Sequence, residues 1–389
     1  MRPSLHTCAL YLAITMIAAW RQAPAEEPRG SLDGSHSPPT TLRLAFSRDF
    51  LVGTALNRMQ LLGSKADMLD LAARQFNAVT AENATKWERI HPLEGEFDWE
   101  AADALVKFAA ANDMHVTGHV LLWHSQTPAW VFEDPDGKQA SRELLLARLK
   151  NHIDTVVSRY AGKVDEWEVV NEALDEDGTL RQTPWLKIIG DDYIARAFQY
   201  AHEADPDADL YLNDFNLYKP AKRAGAIRLV KALQDQGIEI DGIGMQGHYG
   251  LDWPTNLGDV EASIEAFGDL GLAVYITELD ISVLPFPTPE SQGADLSVNL
   301  ALQARYNPYT DGLPPAVEQQ QIDRYTGLFR ILLAHRDVVR RVTFWGLDDA
   351  QSWKNNWPMH GRTDYPLLFD RQGQPKKVFY EVVKLAGDG

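Results

Sequence analysis

Two stretches of this chain end on carboxylates that could act together on one bond. In Trp167-Glu168-Val169-Val170-Asn171-Glu172-Ala173, an apolar run closes on an amide and an acid. In Val274-Tyr275-Ile276-Thr277-Glu278-Leu279-Asp280 the arrangement recurs, with Glu278 lying 106 residues after Glu172. Cleavage of a glycosidic bond asks for such a pair: one carboxyl held protonated near neutral pH, the other kept ionised as nucleophile or base. Either Glu alone reads equally well as a strand end meeting solvent. Two of them on separate strands favour the chemistry.

A sugar site also needs hydrogen-bonding groups for hydroxyls and flat apolar surfaces for ring faces. Glu82, Asn83, Lys86, His119, Gln126, Asn171, Gln246 and His248 supply the first, and Trp87, Trp123, Trp345 and Trp353 the second. Other chemistries fit less well. The chain has no HExxH and no His-x-His pair at the end of the first strand, so no metal centre is expected among His119, His124 and His248. Lys86 could form a Schiff base, but its neighbours Asn83 and Trp87 suit a hydroxyl-binding cluster. No cofactor is implied. Asn171 and Glu172 are adjacent, so on a regular strand they face opposite sides unless a bulge re-aims one.

These residues must be carried by something. Short β-like runs alternate with longer amphipathic helical ones, the pattern of parallel βαβ units. The runs are Phe50–Asn57, Ala78–Asn83, His115–Trp123, Glu166–Glu172, Asp209–Phe215, Gly242–Tyr249, Ala273–Leu279 and Arg341–Leu347. Helical segments are expected at Trp99–Ala111, Ser141–Tyr160, Asp191–Asp205, Ala221–Gln236, Val317–His335 and Lys376–Leu385. Eight such units predict an α/β fold, a single-domain (β/α)8 TIM barrel with extended βα loops. Barrels place reactive groups at the C-terminal tips of their strands. A doubly wound sheet is the competitor, but its Gly-rich phosphate turn is missing. The long, Pro-rich Ser282–Pro315 follows the seventh strand and is expected to form part of a cleft wall.

The 389 residues are 45% hydrophobic and include 11 Trp, enough for a large core and for sugar-stacking rings. A formal net charge of −18 argues against nucleic acid or an anionic membrane as partner. At the N-terminus, Arg2 and His6 precede an apolar run, Thr7–Trp20, and Ala23-Pro24-Ala25 offers a cleavage site. Residues 1–25 thus read as a signal peptide, 26–40 as a disordered tether and 41–387 as the barrel. The expected product is exported, periplasmic or extracellular, with no membrane association after signal removal. The lone Cys8 lies within the signal, leaving the mature chain without a disulfide.

Between Phe50 and Leu385 the chain resembles the family 10 glycoside hydrolases, the endo-β-1,4-xylanases of the large retaining (β/α)8 clan. The resemblance rests on Thr80–Trp87, Gly118–Gln126, Trp167–Ala173, Gly244–His248, Ile276–Asp280, Phe344-Trp345-Gly346 and Ser352-Trp353, in that order. It implies Glu172 as acid/base, Glu278 as nucleophile and Asn171 as holder of the sugar 2-hydroxyl. It likewise implies Glu82, Asn83 and Lys86 as glycone-side binders, with His119, Trp123, Gln126, Gln246, Trp345 and Trp353 around the cleaved sugar. His248 and Asp280 resemble the pair that keeps the nucleophile ionised. The long Ser282–Pro315 segment is not typical of compact members.

The reading is an exported, monomeric endo-1,4-β-xylanase that retains configuration. The rivals are a β-1,4-glucanase of the same clan and a barrel that binds polysaccharide without cutting it.

Overall fold

Eight parallel strands form the barrel because their sequences are apolar runs too short for helices and are covered on the outside by amphipathic helices. In chain order these are β1 (Leu51–Leu56), β2 (Ala78–Ala81), β3 (His115–Gly118), β4 (Glu166–Asn171), β5 (Asp209–Asp214), β6 (Gly242–Met245), β8 (Ala273–Ser282) and β9 (Val339–Phe344), with a short ninth strand, β7 (His248–Gly250), beside β8 outside the ring. Each of β1 to β5 pairs with the next, β6 pairs with β8, β8 with β9 and β9 with β1, so the sheet closes. The computed structural model describes residues 41–63, 66–286 and 304–386. The expected signal peptide, the tether and residues 287–303 of the Ser282–Pro315 segment lie outside the described residues.

The expected sixth strand is two pieces. Gly247, at φ 82°, turns the chain between β6 and β7. The short β7 then pairs only with the far end of β8, setting His248 opposite Asp280. Strand β8 runs on to Ser282, further than its apolar run suggested. Strand β3 stops at Gly118, so His119–Trp123 lies in the loop beyond it. Gly118 is required for packing: a Cβ there would lie 2.1 Å from the ring of Trp167 on β4.

The helices follow from capping and periodicity. Ser141 accepts from the Leu144 amide at 3.2 Å to start Arg142–Tyr160, whose Leu145, Leu149, Ile153, Val156 and Val157 are buried on one stripe. Each such fully buried aliphatic side chain contributes about 1.5–3 kcal/mol. Two helical stretches before β2, Arg58–Leu62 and Ala66–Gln75, and one after β7, Gly258–Gly268, were not anticipated. At the N-terminal end of the barrel the core is polar. Buried Arg341 donates through Nε to Glu166 at 2.6 Å, and Thr117 donates to the same oxygen at 2.6 Å. Burial alone would raise the Glu166 carboxyl, but the Arg341 charge brings it down to about 2.

Candidate active site

Glu172 directly follows β4 and Glu278 lies in the C-terminal half of β8, 3% and 5% exposed. The difficulty of adjacent Asn171 and Glu172 is resolved by the backbone. The β4–β5 register shifts between Glu168 and Val170, and Glu172 takes a left-handed φ of 57°. That rotation brings its side chain to the same side as that of Asn171, where Gln246 Nε2 donates to Asn171 Oδ1 at 3.1 Å and Glu172 Oε1 at 3.1 Å.

A continuous network joins the two acids. Asn213 Nδ2 donates to Asn171 Oδ1 at 3.2 Å and to Glu278 Oε1 at 2.9 Å. Thr277 orients that amide by donating to Asn213 Oδ1 at 2.7 Å. The other oxygen of Glu278 lies 3.2 Å from His248 Nε2, and His248 Nδ1 lies 3.0 Å from Asp280 Oδ2. Trp353 Nε1 donates to that same Asp280 oxygen at 2.7 Å.

The two acids are pushed apart electrostatically. Burial raises the Glu172 carboxyl, and the charges of His124 and Arg181 and the Gln246 hydrogen bond do not cancel it. Burial also acts on Glu278, but the His248 hydrogen bond and the charges of His119, His248 and Lys86 outweigh it and hold the group below its usual range. His248 is raised despite burial, because carboxylates face both ring nitrogens.

The remaining expected residues form a second group beside the first. Lys86 Nζ donates to Asn83 Oδ1 at 3.0 Å and to Gln126 Oε1 at 2.9 Å, and sits 4.9 Å from the ring centre of Trp123. Burial lowers the ammonium, against the pull of Glu278, Glu82, Glu172 and Glu168. Burial raises the Glu82 carboxyl, opposed by Lys86. Glu82, Asn83, Gln126 and Trp353 line a cleft of about 1200 Å³ together with Met59, Gln351, Trp357 and His360. A cavity of about 680 Å³ at the other end of the barrel is lined by Glu166, Asp209, Asp241 and Arg341, on the face away from the strand tips.

One expected sugar platform is corrected. Trp87 is 2% exposed and stacks on His152 at 3.7 Å between ring centres, so it is a core residue. Sequence reasoning missed Asn213 and Glu168. Glu168 Oε2 lies 3.0 Å from His119 Nδ1, and the His119 ring meets Trp345 edge-on at 5.1 Å. Acids at alternate positions 166 and 168 of an apolar strand were the available signal for an inward-facing polar row. His119, Glu168 and Glu278 bring three ligand-type atoms within 4.8 Å of one another. His119 Nδ1 is engaged by Glu168 and both Glu278 oxygens by side-chain partners, which makes this a hydrogen-bonded cluster rather than a cation cage.

The glycosyl hydrolase family 10 model matches residues 41–385. An endo-1,4-β-xylanase A of Xylanibacter ruminicola is 46% identical over 345 residues, covering 89% of this chain and 93% of that protein. An endo-1,4-β-xylanase of Geobacillus stearothermophilus is 42% identical, covering 89% and 98%. Among solved structures, a GH10 endoxylanase from a sugarcane soil metagenome superposes with a TM-score of 0.85 at 41% identity, covering 90% of this chain and all of that one. A mutant structure in complex with xylotriose superposes at 0.78 with 38% identity, covering 89% and 99%. With the family model spanning residues 41–385 and relatives this similar over more than nine-tenths of their length, the chain belongs to glycosyl hydrolase family 10.

Proposed function

We propose that this chain is an endo-1,4-β-xylanase that cleaves internal bonds of xylan by double displacement, retaining configuration at the anomeric carbon. The observation that carries the mechanism is the unequal provision for the two acids. Glu278 has a partner on each oxygen, whereas Glu172 Oε2 accepts no hydrogen bond among the described residues. The substrate follows from the relatives, which are endo-1,4-β-xylanases.

In this reading Glu278 attacks the anomeric carbon while Glu172 protonates the departing oxygen. Glu172 then removes a proton from water, which displaces Glu278 and releases the sugar. Asn171 donates to the 2-hydroxyl, with its Oδ1 fixed by Asn213 and Gln246. His248 and Asp280 keep Glu278 ionised. Lys86, Asn83, Glu82 and Gln126 hold glycone hydroxyls, and Trp123, Trp345 and Trp353 shape the apolar walls around the cleaved sugar.

The test has two parts. Proton NMR of the first product formed from xylohexaose should show the β-anomer; initial release of the α-anomer overturns double displacement. Reducing-sugar release should be far greater from xylan than from carboxymethyl cellulose, and the reverse would make the chain a glucanase. We further infer that residues 1–25 direct export and that the released barrel is monomeric, which fractionation and light scattering would test.

A further inference from the structure

Behind the nucleophile lies a buried cation with no part in the mechanism above. Lys354 is 2% exposed, and its Nζ lies 3.5 Å from Asp280 Oδ1, an oxygen that makes no hydrogen bond among the described residues. The ammonium is also enclosed by rings, 4.3 Å from the centre of Trp353 and 4.8 Å from that of Trp357. A local turn sets this up. Ser352 Oγ accepts from the Lys354 amide at 3.3 Å and opens the 3-10 turn Trp353–Asn355. Consecutive residues therefore reach both oxygens of one carboxylate, Trp353 taking Oδ2 and Lys354 facing Oδ1.

The result is a buried row of alternating charge: Glu278, His248, Asp280, Lys354. We propose that Lys354 is a positioning residue for the nucleophile, acting through Asp280 to keep His248 oriented toward Glu278, although its own charge pulls the imidazole down. The inference rests on the nucleophilic role of Glu278. A buried ammonium is costly unless paired, so its presence here calls for a partner that must stay ionised. Asp280 is that partner: burial raises its carboxyl, and the charges of His248 and Lys354 bring it below its ordinary range. The other charged or titratable groups facing this row are Tyr325 near Asp280, Arg362 and Asp364 near Lys354, and His119, Lys86, Glu168 and Glu82 near Glu278. While Glu278 is esterified the row loses its first negative charge. Asp280 is then the only carboxylate on His248, and Lys354 keeps it from taking the proton.

Removing the cation makes Asp280 easier to protonate, and a neutral Asp280 no longer orients His248. The acid limb of kcat/KM therefore moves to higher pH. In Lys354→Met, measured on xylohexaose, the limb should rise by about one pH unit, with KM little changed because Lys354 is buried beneath Trp353. Lys354→Arg should return the limb toward the wild-type position. If Lys354→Met fails to fold, Lys354→Gln carries the same comparison. Overlay of the acid limbs of wild type and the neutral variant overturns the proposal, as does failure of Lys354→Arg to restore the limb in a folded protein. Wild-type protein inactive on xylan, or Glu278→Ala retaining turnover, would instead overturn the functional reading beneath it.

Discussion

The surroundings of Glu278 and Glu172 differ in how much is committed to one protonation state. Around Glu278, Asn213 and His248 engage both oxygens, Asp280 faces the histidine, and Trp353 donates to Asp280. Around Glu172, Gln246 engages one oxygen and the other makes no hydrogen bond among the described residues. A group that must remain an anion is best surrounded by donors. A group that must pass a proton in both directions is best left underprovided and desolvated. On the proposed reading, two carboxyls of the same type are thereby suited to opposite tasks by their neighbours.

The sharpest way to break this contrast is to delete each acid. Glu278→Ala should lose about 10⁵-fold or more in turnover on every substrate, measured by aryl xylobioside and xylan assays. Glu172→Ala should lose about 10²–10⁴-fold on xylan, yet still be glycosylated rapidly by a substrate with a good leaving group, with azide accelerating turnover. Wild-type behaviour of Glu172→Ala would erase the distinction. Asn213→Ala removes one donor to the proposed nucleophile and should cost about tenfold to a hundredfold in kcat/KM, the range for a hydrogen bond to a charged group. The smallest effect concerns the proposed acid. Gln246 stabilises the ionised form of Glu172, so Gln246→Leu should raise that carboxyl further. The alkaline limb of kcat/KM, set by loss of the Glu172 proton, should then move to higher pH by up to about one unit. Movement in the opposite direction would show that the limb belongs to another group.

Strand positions were legible because barrel strands are uninterrupted apolar runs, and Glu278 was legible because its run ends on it. The backbone at Glu172 was not, since period-two alternation sends its side chain away from that of Asn171. Only the register shift in β4 and the left-handed turn reverse this. The break at Gly247 was hidden because β6 and β7 together read as one run. Asn213 and Glu168 escaped assignment for a different reason: their importance lies in which side chains they touch across strands, and spacing along the chain does not encode that. Trp87 was misjudged since ring type says nothing about burial. Its position against His152 is set by the helix Arg142–Tyr160 packing from outside.

The left-handed backbone at Glu172 has a consequence for robustness. A residue with a Cβ in that conformation costs about 1–2 kcal/mol, and glycine escapes the penalty. Glu172→Gly should accordingly melt at a higher temperature than Glu172→Ala, in a calorimetric comparison of two proteins that both lack the carboxyl. The scaffold could be made sturdier at this position only by giving up the side chain that the site is built to present, so heat tolerance and turnover compete at a single peptide unit.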